Sequence, residues 1–328
     1  MSILITGGAG YIGSHTAAEM LYGGEDLIVV DNLQKGHRSA VLGGSFYKGD
    51  LRESSLMDEV FSKNNIEAVV HFAADSLVGE SVGNPLKYYN NNVVATLCLL
   101  TKMKEYGVKK IVFSSTAATY GEPENTPILE TDRTMPTNPY GETKLAVEKA
   151  LKWADNAYGI KYVSLRYFNA AGAHVSGVIG EDHNPESHLI PIVLQAALGK
   201  RDAVSIFGDD YETPDGTCIR DYIHVTDLAN AHILALRKLR AGGESSIYNL
   251  GNGMGFSVRE VVEFSREVTG IDIKAVVSGR RPGDPAVLVA SSEKIRRELG
   301  WQPVYTDLKA IIETAWKWHR YNPEGFKD

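Results

Sequence analysis

The chain has 328 residues, 43% hydrophobic and 23% charged, with 34 Lys and Arg against 41 Asp and Glu and a net charge of −7. That balance excludes a disordered or fibrous chain, and its acidity disfavours nucleic acid, whose phosphates need a basic surface or patch. Two cysteines, Cys98 and Cys218, exclude a disulfide framework and a cysteine-rich metal site, and no metal is expected.

At about 150 residues per domain the length suggests two domains. No apolar run approaches the ~18 residues that span a membrane. The folded pattern begins at Ser2 with no basic-then-apolar leader, so a cytoplasmic location is expected. Apolar β-type runs follow at Ser2–Thr6, Leu27–Asp31, Ser45–Tyr47, Ala68–Ala73, Lys110–Ser114 and Tyr162–Tyr167. Helical patterns lie between most of them, at Ile12–Leu21, Leu56–Ser62, Val93–Glu105 and Tyr140–Tyr158. The alternation predicts βαβ units in an α/β fold, a doubly wound parallel sheet with helices on both faces. Ligands on such sheets bind outside the carboxyl ends of the strands. Gly7, Asp31, Asp50, Ala73–Asp75, Ser114–Thr116 and Phe168–Asn169 all fall at such ends.

After residue 170 the pattern loosens. Gly172, Gly177, Gly180 and the polar stretch Glu181–Ser187 read as a long loop before an apolar helix near Leu189–Leu198. Asp209–Thr217 and Gly279–Pro285 are further turn-rich segments, and long ordered loops are more often functional than decorative. Helical patterns recur near Val225–Leu239, Val258–Thr269, Ser292–Leu299 and Leu308–Trp318. The expected division is a nucleotide-binding domain over 1–170, to which parts of 220–255 return, and a smaller mixed α/β substrate lobe over 171–328.

Two segments carry chemistry. Thr6-Gly7-Gly8-Ala9-Gly10-Tyr11-Ile12-Gly13 follows the first strand and opens a helix. Its glycines allow a tight turn and close approach to a pyrophosphate, and the helix N-terminus offers free N–H groups. Asp31 ends the next strand, where a carboxylate accepts from a ribose 2′-hydroxyl and repels a 2′-phosphate. NAD is therefore expected over NADP, a preference that nearby Lys35 and Arg38 would weaken. Asp50 is either an adenine contact or a turn residue. Further on, Tyr140-Gly-Glu-Thr-Lys144 sets a phenol and an ammonium on one face of a helix, with Asn138 as N-cap and Pro139 in the first position. Lysine, helix terminus and nicotinamide would all favour the phenolate and lower the tyrosine pKa. The same spacing at Tyr106/Lys110 and Tyr305/Lys309 reads as structural. Tyr140 differs in having a hydroxyl-rich partner, Ser114-Ser115-Thr116-Ala117-Ala118-Thr119-Tyr120-Gly121, just after a strand.

With these pieces the chain resembles the extended short-chain dehydrogenase/reductases and, within them, the UDP-glucose 4-epimerase family. The likeness runs in order through TGGAGYIGSH, HFAADSLVGES, PLKYYNNN, FSSTAATYGE, NPYGETK, LRYFNAAGAH, DGTCIRDYIHV and GRRPGDP. It implies a Rossmann-type sheet and bound NAD touched by Gly7, Gly10, Tyr11, Ile12, Gly13, Asp31, Asn32, Asp50, Leu51, Phe72, Ala73, Asn92, Tyr140, Lys144 and Tyr167. It implies catalytic roles for Thr116, Tyr140 and Lys144. It places UDP on Asn169, His188, Leu189, Phe207, Arg220, Arg281 and Asp284, and two arginine forks suit a diphosphate. Phe207 would stack on uracil.

The chain departs from the family at four places. Thr116 replaces a common serine, Ser76 stands where some relatives carry lysine, and His188 stands where others have asparagine. Leu288 occupies a position whose bulk limits room for a 2-acetamido group and leaves N-acetyl sugars open. The resemblance implies C4 epimerisation of UDP-galactose and UDP-glucose through a 4-keto sugar, in a homodimer. The rivals are C4 epimerisation of UDP-N-acetylglucosamine or a UDP-pentose, a 4,6-dehydratase, and a dinucleotide-sensing module. A dehydratase needs carboxylates that the Thr116–Ala118 loop lacks, and a sensor would not need Thr116, Tyr140 and Lys144 together.

Overall fold

The apolar runs of the first half form one parallel sheet in the computed structural model, which describes residues 1–281 and 284–328. In chain order the strands are β1 (Ser2–Thr6), β2 (Leu27–Asp31), β3 (Ser45–Lys48), β4 (Ile66–His71), β5 (Lys110–Thr116), β6 (Lys161–Tyr167), β7 (Asn169–Ala171), β8 (Val204–Phe207), β9 (Ile219–His224), β10 (Ser246–Leu250), β11 (Gly255–Ser257), β12 (Ala275–Ser278) and β13 (Val287–Leu288). Seven of them make the main sheet in the order β10-β6-β5-β4-β1-β2-β3, and every neighbouring pair is parallel. The order reverses between β1 and β4, which opens a crevice at their carboxyl ends.

Both faces of the sheet are covered because side chains alternate along each strand. Ile3 and Ile5 join Leu228, Ala231 and Ala235 on one side, where the helices Tyr11–Tyr22 and Val225–Arg240 pack together. Leu4 joins Met57, Val60, Leu99 and Leu151 on the other. A third apolar cluster, including Val193, Leu194, Val261, Ile311 and Ile312, forms the core around helices of the second half.

Some boundaries differ from the sequence reading. β4 ends at His71 rather than Ala73, because the N–H groups of Phe72 and Ala73 both turn to Thr6 O, at 2.8 and 3.1 Å. β5 continues through Thr116, so Ser114–Thr116 are paired strand residues, with Thr116 opposite Tyr167. The helix near Val93 starts at Ala95, after a wide turn over Tyr89–Val94 and two short helices, Val78–Gly83 and Pro85–Tyr88. The loosely patterned second half contains seven strands that the apolar pattern did not reveal. β10 joins the main sheet, β7, β9, β11 and β13 form a second sheet, and β8 and β12 form a third. These strands are short, and their pairing comes from distant partners rather than from alternation. Among the described residues no helix is long and apolar enough to cross a membrane.

The helix Pro139–Tyr158 begins as its sequence implies: Asn138 accepts from Gly141 N at 2.9 Å and Pro139 occupies the first turn. A buried polar network fastens its middle to the sheet. Arg166 on β6 donates to both carboxylate oxygens of Glu148, at 2.9 and 2.5 Å, and Ser115 on β5 donates to the same group at 2.5 Å. Arg166 also donates to Tyr120 Oη at 2.9 Å, and Tyr120 donates to Asn249 on β10 at 2.7 Å. Glu148 and Arg166 have side chains only 3% and 4% exposed. Removing one member leaves a buried charge without its partner, so Glu148→Ala should lower unfolding stability by about 3–5 kcal/mol. Denaturant titration of the variant measures this directly.

Four buried histidines add a pH dependence. His71 bridges Thr6 Oγ1 at 2.6 Å and Thr96 Oγ1 at 2.8 Å. Burial lowers His71 and His224 to about 3, and His15 and His232 to about 4, from an ordinary 6.5. Below pH 6.5 the unfolded chain binds protons that these folded residues refuse, so stability falls with pH. The loss reaches about 1.4 kcal/mol per pH unit for each histidine. Asp221, raised to about 6 by burial, acts oppositely within this window, and Asp31, Asp75 and Asp227, also raised by burial, do so nearer the ordinary carboxylate range. Urea midpoints should therefore drop steeply from pH 6.5 to 5, and a flat profile would contradict neutral buried imidazoles.

Candidate active site

The crevice is lined first by the turn after β1. Gly7 has φ +73°, and a Cβ on it would lie 2.5 Å from Ala73 N. A Cβ on Gly13 would lie 2.2 Å from Gly7 O, so the turn closes only with glycine at these places. Gly10 is the N-cap of the helix Tyr11–Tyr22 and brings no capping side chain. The first-turn N–H groups of Tyr11, Ile12 and Gly13 thus have no intrahelical partner and suit a pyrophosphate. The Tyr11 side chain is committed elsewhere: its hydroxyl donates to Gly172 O at 2.6 Å, and its ring meets His15 and His183 edge-on.

Asp31 sits at the end of β2, buried, accepting from Ala9 N at 3.0 Å and Leu33 N at 2.8 Å. Burial raises its carboxyl above the ordinary value, and these two amides oppose that rise. Asn32 Oδ1 accepts from Gln34 N at 3.0 Å. Asp50 is gripped by the Arg52 guanidinium, at 2.7 and 2.5 Å, which holds its carboxyl below the usual range. Leu51 is a core residue, and Phe72 packs against His232 with ring centroids 4.7 Å apart. Asn92 brackets Asp75, with bonds of 2.8 and 3.0 Å to its backbone, and donates to Thr143 Oγ1 at 3.0 Å. Both amide protons of Asn92 are used, so it braces the crevice wall. The glycine cradle, the unpaired helix N–H groups and the strand-end carboxylate together fit a dinucleotide.

Thr116, Tyr140 and Lys144 meet beside this crevice. The Thr116 hydroxyl beside the Tyr140 phenol lowers its pKa, but burial outweighs it and pushes the phenol up to about 12. The sequence reading expected a lowered phenol. The difference is that burial disfavours the phenolate in the chain by itself, with no cationic nicotinamide alongside. Lys144 is buried too, donating to Ser114 O at 2.9 Å, with its Nζ 5.9 Å from the Tyr140 ring centroid. Burial lowers Lys144 to about 7, against the pull of Glu148 one turn along the helix. Tyr167 shares a short hydrogen bond with Ser114 and lies opposite Thr116. Sequence reasoning missed Glu148, Arg166, Tyr120 and Asn249 behind this group. An arginine inside an otherwise apolar strand was the available signal.

The substrate-side residues come from several elements of the second half. Asn169 opens β7, while His188 and Leu189 stand at the start of the helix Leu189–Ala197. The Arg281 guanidinium lies 3.9 Å over the Phe207 ring, so one face of that ring is already covered. Arg220 on β9 pairs with Asp284 and donates to Ile219 O at 2.8 Å. Its charge is therefore largely compensated, whereas Arg281 is paired with no carboxylate among the described residues. An open cleft of about 780 Å³ runs past Arg281, Asp284, Tyr211 and the segment 122–126. It does not reach Tyr140. Leu288 pairs with Arg220 across β13 and β9, at the edge of the same region. Ser76 is exposed.

The comparisons with known proteins agree along the whole chain. Residues 3–251 match the NAD dependent epimerase/dehydratase family. A UDP-glucose 4-epimerase of Halalkalibacterium halodurans is 62% identical over 326 residues, 99% of this chain and 98% of that one. A crystal structure of a UDP-glucose 4-epimerase superposes with a TM-score of 0.99 at 59% identity, covering all of both chains. The Bifidobacterium longum enzyme, solved with NAD+ and UDP, gives 0.94 at 42% identity over 99% of this chain and 100% of that chain. With a glycine cradle at the sheet's switch point, a Tyr140–Lys144 pair beside it and these relatives, the chain belongs to the NAD-dependent epimerase/dehydratase family.

Proposed function

We infer that the chain is a UDP-glucose 4-epimerase, interconverting UDP-galactose and UDP-glucose at C4 with NAD as resident cofactor. The observation that carries this is the Thr116–Tyr140–Lys144 group beside the dinucleotide cradle, in a chain 62% identical to a curated UDP-glucose 4-epimerase. The relatives favour the glucose and galactose pair over N-acetylated or pentose sugars.

NAD supplies the acceptor, and later the donor, of the C4 hydride, so no net redox change occurs. The cradle of Gly7, Gly10 and Gly13, the amides of Tyr11 and Ile12, and Asp31 hold it, with Asn32, Asp50, Leu51, Phe72, Ala73, Asn92 and Tyr167 forming the surrounding wall. Tyr140 as phenolate takes the proton of the sugar 4-hydroxyl, and Thr116 orients that oxygen. Lys144 stabilises the phenolate by its charge. Arg281 and Arg220 grip the diphosphate, Phe207 lies against the uracil, and Asn169, His188, Leu189 and Asp284 complete the pocket. The 4-keto sugar swings about this anchored diphosphate, presents its other face, and recovers its proton from Tyr140.

Three coarser readings belong with this one. Residues 1–170, with parts of 220–255, form the NAD domain, and 171–328 mainly form the UDP-sugar lobe. The chain pairs as a homodimer through the helices Ala95–Glu105 and Pro139–Tyr158, where Leu97 and Trp153 are exposed apolar residues. It works in the cytoplasm, without nucleic acid or membrane partners, in keeping with its net charge of −7.

Purified protein given UDP-galactose and no added cofactor should form UDP-glucose, seen in the anomeric signals by proton NMR. No conversion, with NAD shown to be bound, would contradict the substrate assignment. Tyr140→Phe should reduce turnover by about 10²–10⁴-fold while NAD remains bound after gel filtration. Near-normal turnover in that variant would remove Tyr140 from its role.

A further inference from the structure

The segment between β7 and the helix Leu189–Ala197 reads from sequence as a polar loop. Folded, it gathers Glu181, His183, Glu186 and His188 so that one ligand atom from each lies within 4.8 Å of all the others. We propose that these four side chains form a binding site for one divalent transition-metal ion of the zinc class.

Four of the six separations among the ligand atoms lie near those of a tetrahedral set. Zinc bonds of about 2.0–2.2 Å to nitrogen and oxygen place neighbouring ligand atoms about 3.3–3.5 Å apart. Here Glu181 Oε1 lies 3.2 Å from His183 Nδ1 and 2.8 Å from His188 Nδ1. Glu186 lies 3.2 Å from His188 Nδ1 and 3.7 Å from His183 Nδ1. Two imidazoles and two carboxylates suit zinc, cobalt or nickel better than calcium or magnesium, which take oxygen ligands.

A second observation points to a ligand at this cluster. Glu181 is 3% exposed, yet among the described residues its Oε1 makes no hydrogen bond of usable geometry. His183 Nδ1, facing it, is likewise without a partner. Two groups within 3.2 Å that do not bond each other are aimed at a shared point between them. A buried carboxylate oxygen needs a cation beside it: protonated imidazoles of His183 and His188 fill that need when the site is empty, and a metal ion replaces their protons when it is loaded.

The supporting shell is rigid. Glu186 Oε1 accepts from Ser187 N at 2.7 Å and His188 N at 2.8 Å, which fixes its carboxylate plane. Gly180 lies so close to Trp318 that a Cβ would sit 2.3 Å from the ring. Asp182 is held by Phe326 N at 2.8 Å. A cavity of about 120 Å³, walled in part by Glu181, Glu186 and His319, provides an approach from the second lobe. Four protein ligands leave no open position, so the ion is structural. It fastens the loop beneath Tyr11 of the cofactor turn and holds the start of the helix that carries His188 and Leu189. Only Nδ1 of His188 faces the cluster, so Nε2 stays available to the UDP pocket and this inference does not depend on the epimerase reading.

The test uses the full chain with its NAD, stripped by dialysis against a chelator and then offered zinc or cobalt. The wild type should retain one zinc per chain after gel filtration, and its melting temperature should rise on loading. His183→Gln and Glu186→Gln should each lose that retention while keeping their far-ultraviolet circular dichroism. Equal retention in wild type and both variants, or none in the wild type, would overturn the site. Should either variant fail to fold, cobalt in the wild type decides. An intense visible band of tetrahedral cobalt supports the site, and the weak spectrum of hydrated cobalt overturns it.

Discussion

The bidentate bond between Arg166 and Glu148 is the constraint on which the reactive end of the protein depends. Glu148 lies one helical turn beyond Lys144, and Lys144 one turn beyond Tyr140, so all three share a face of one helix. Fixing Glu148 to β6, and through Ser115 to β5, fixes the height and rotation of that face over the sheet. Thr116 is the next residue of β5, on the strand that Ser115 ties to this helix. A buried charge pair is weak as a source of net stability, but it is strongly directional. Apolar residues of the same volume would pack there without setting the helix rotation.

That placement creates an electrostatic tension. Burial drives Tyr140 toward phenol and Lys144 toward free amine, so the chain alone favours a neutral phenol beside a lysine only partly charged at neutral pH. Proton abstraction needs phenolate beside ammonium. A cationic nicotinamide ring bound beside the phenol would tip the balance toward that charged state. Firm cofactor retention and acid–base competence are therefore one property. The substrate lobe divides its labour similarly. Asp284 compensates Arg220 and leaves Arg281 as the freer cation, which suits anchoring at the diphosphate and loose contact with the sugar.

Much of this was legible in the sequence because it is local. β1, the glycine turn and the next helix are consecutive, and their pattern needs no distant partner to be recognised. Asn138 and Pro139 likewise announce a helix start that the structure contains. What stayed hidden is non-local. The strands β7 and β11 have three residues each and β13 has two, and they exist only by pairing with β9. Charged residues posed the same difficulty. Glu148 and Arg166 are 18 residues apart in sequence and meet only when the helix packs on the sheet, and Asp284 gives no sign in sequence that it will neutralise Arg220. Tyr11 was assigned to the cofactor with no account of its side chain, whose hydroxyl is claimed by Gly172, 161 residues away.

The central claim is that the hydrogen removed from C4 is held within the protein and returned to the same carbon. UDP-galactose deuterated at C4, incubated in ordinary water, tests it. The account predicts UDP-glucose that keeps its deuterium at C4 through many turnovers, read by mass spectrometry and NMR. Loss of deuterium to solvent would show that C4 releases a proton rather than a hydride, and would contradict the roles given to Tyr140, Lys144 and the cofactor cradle.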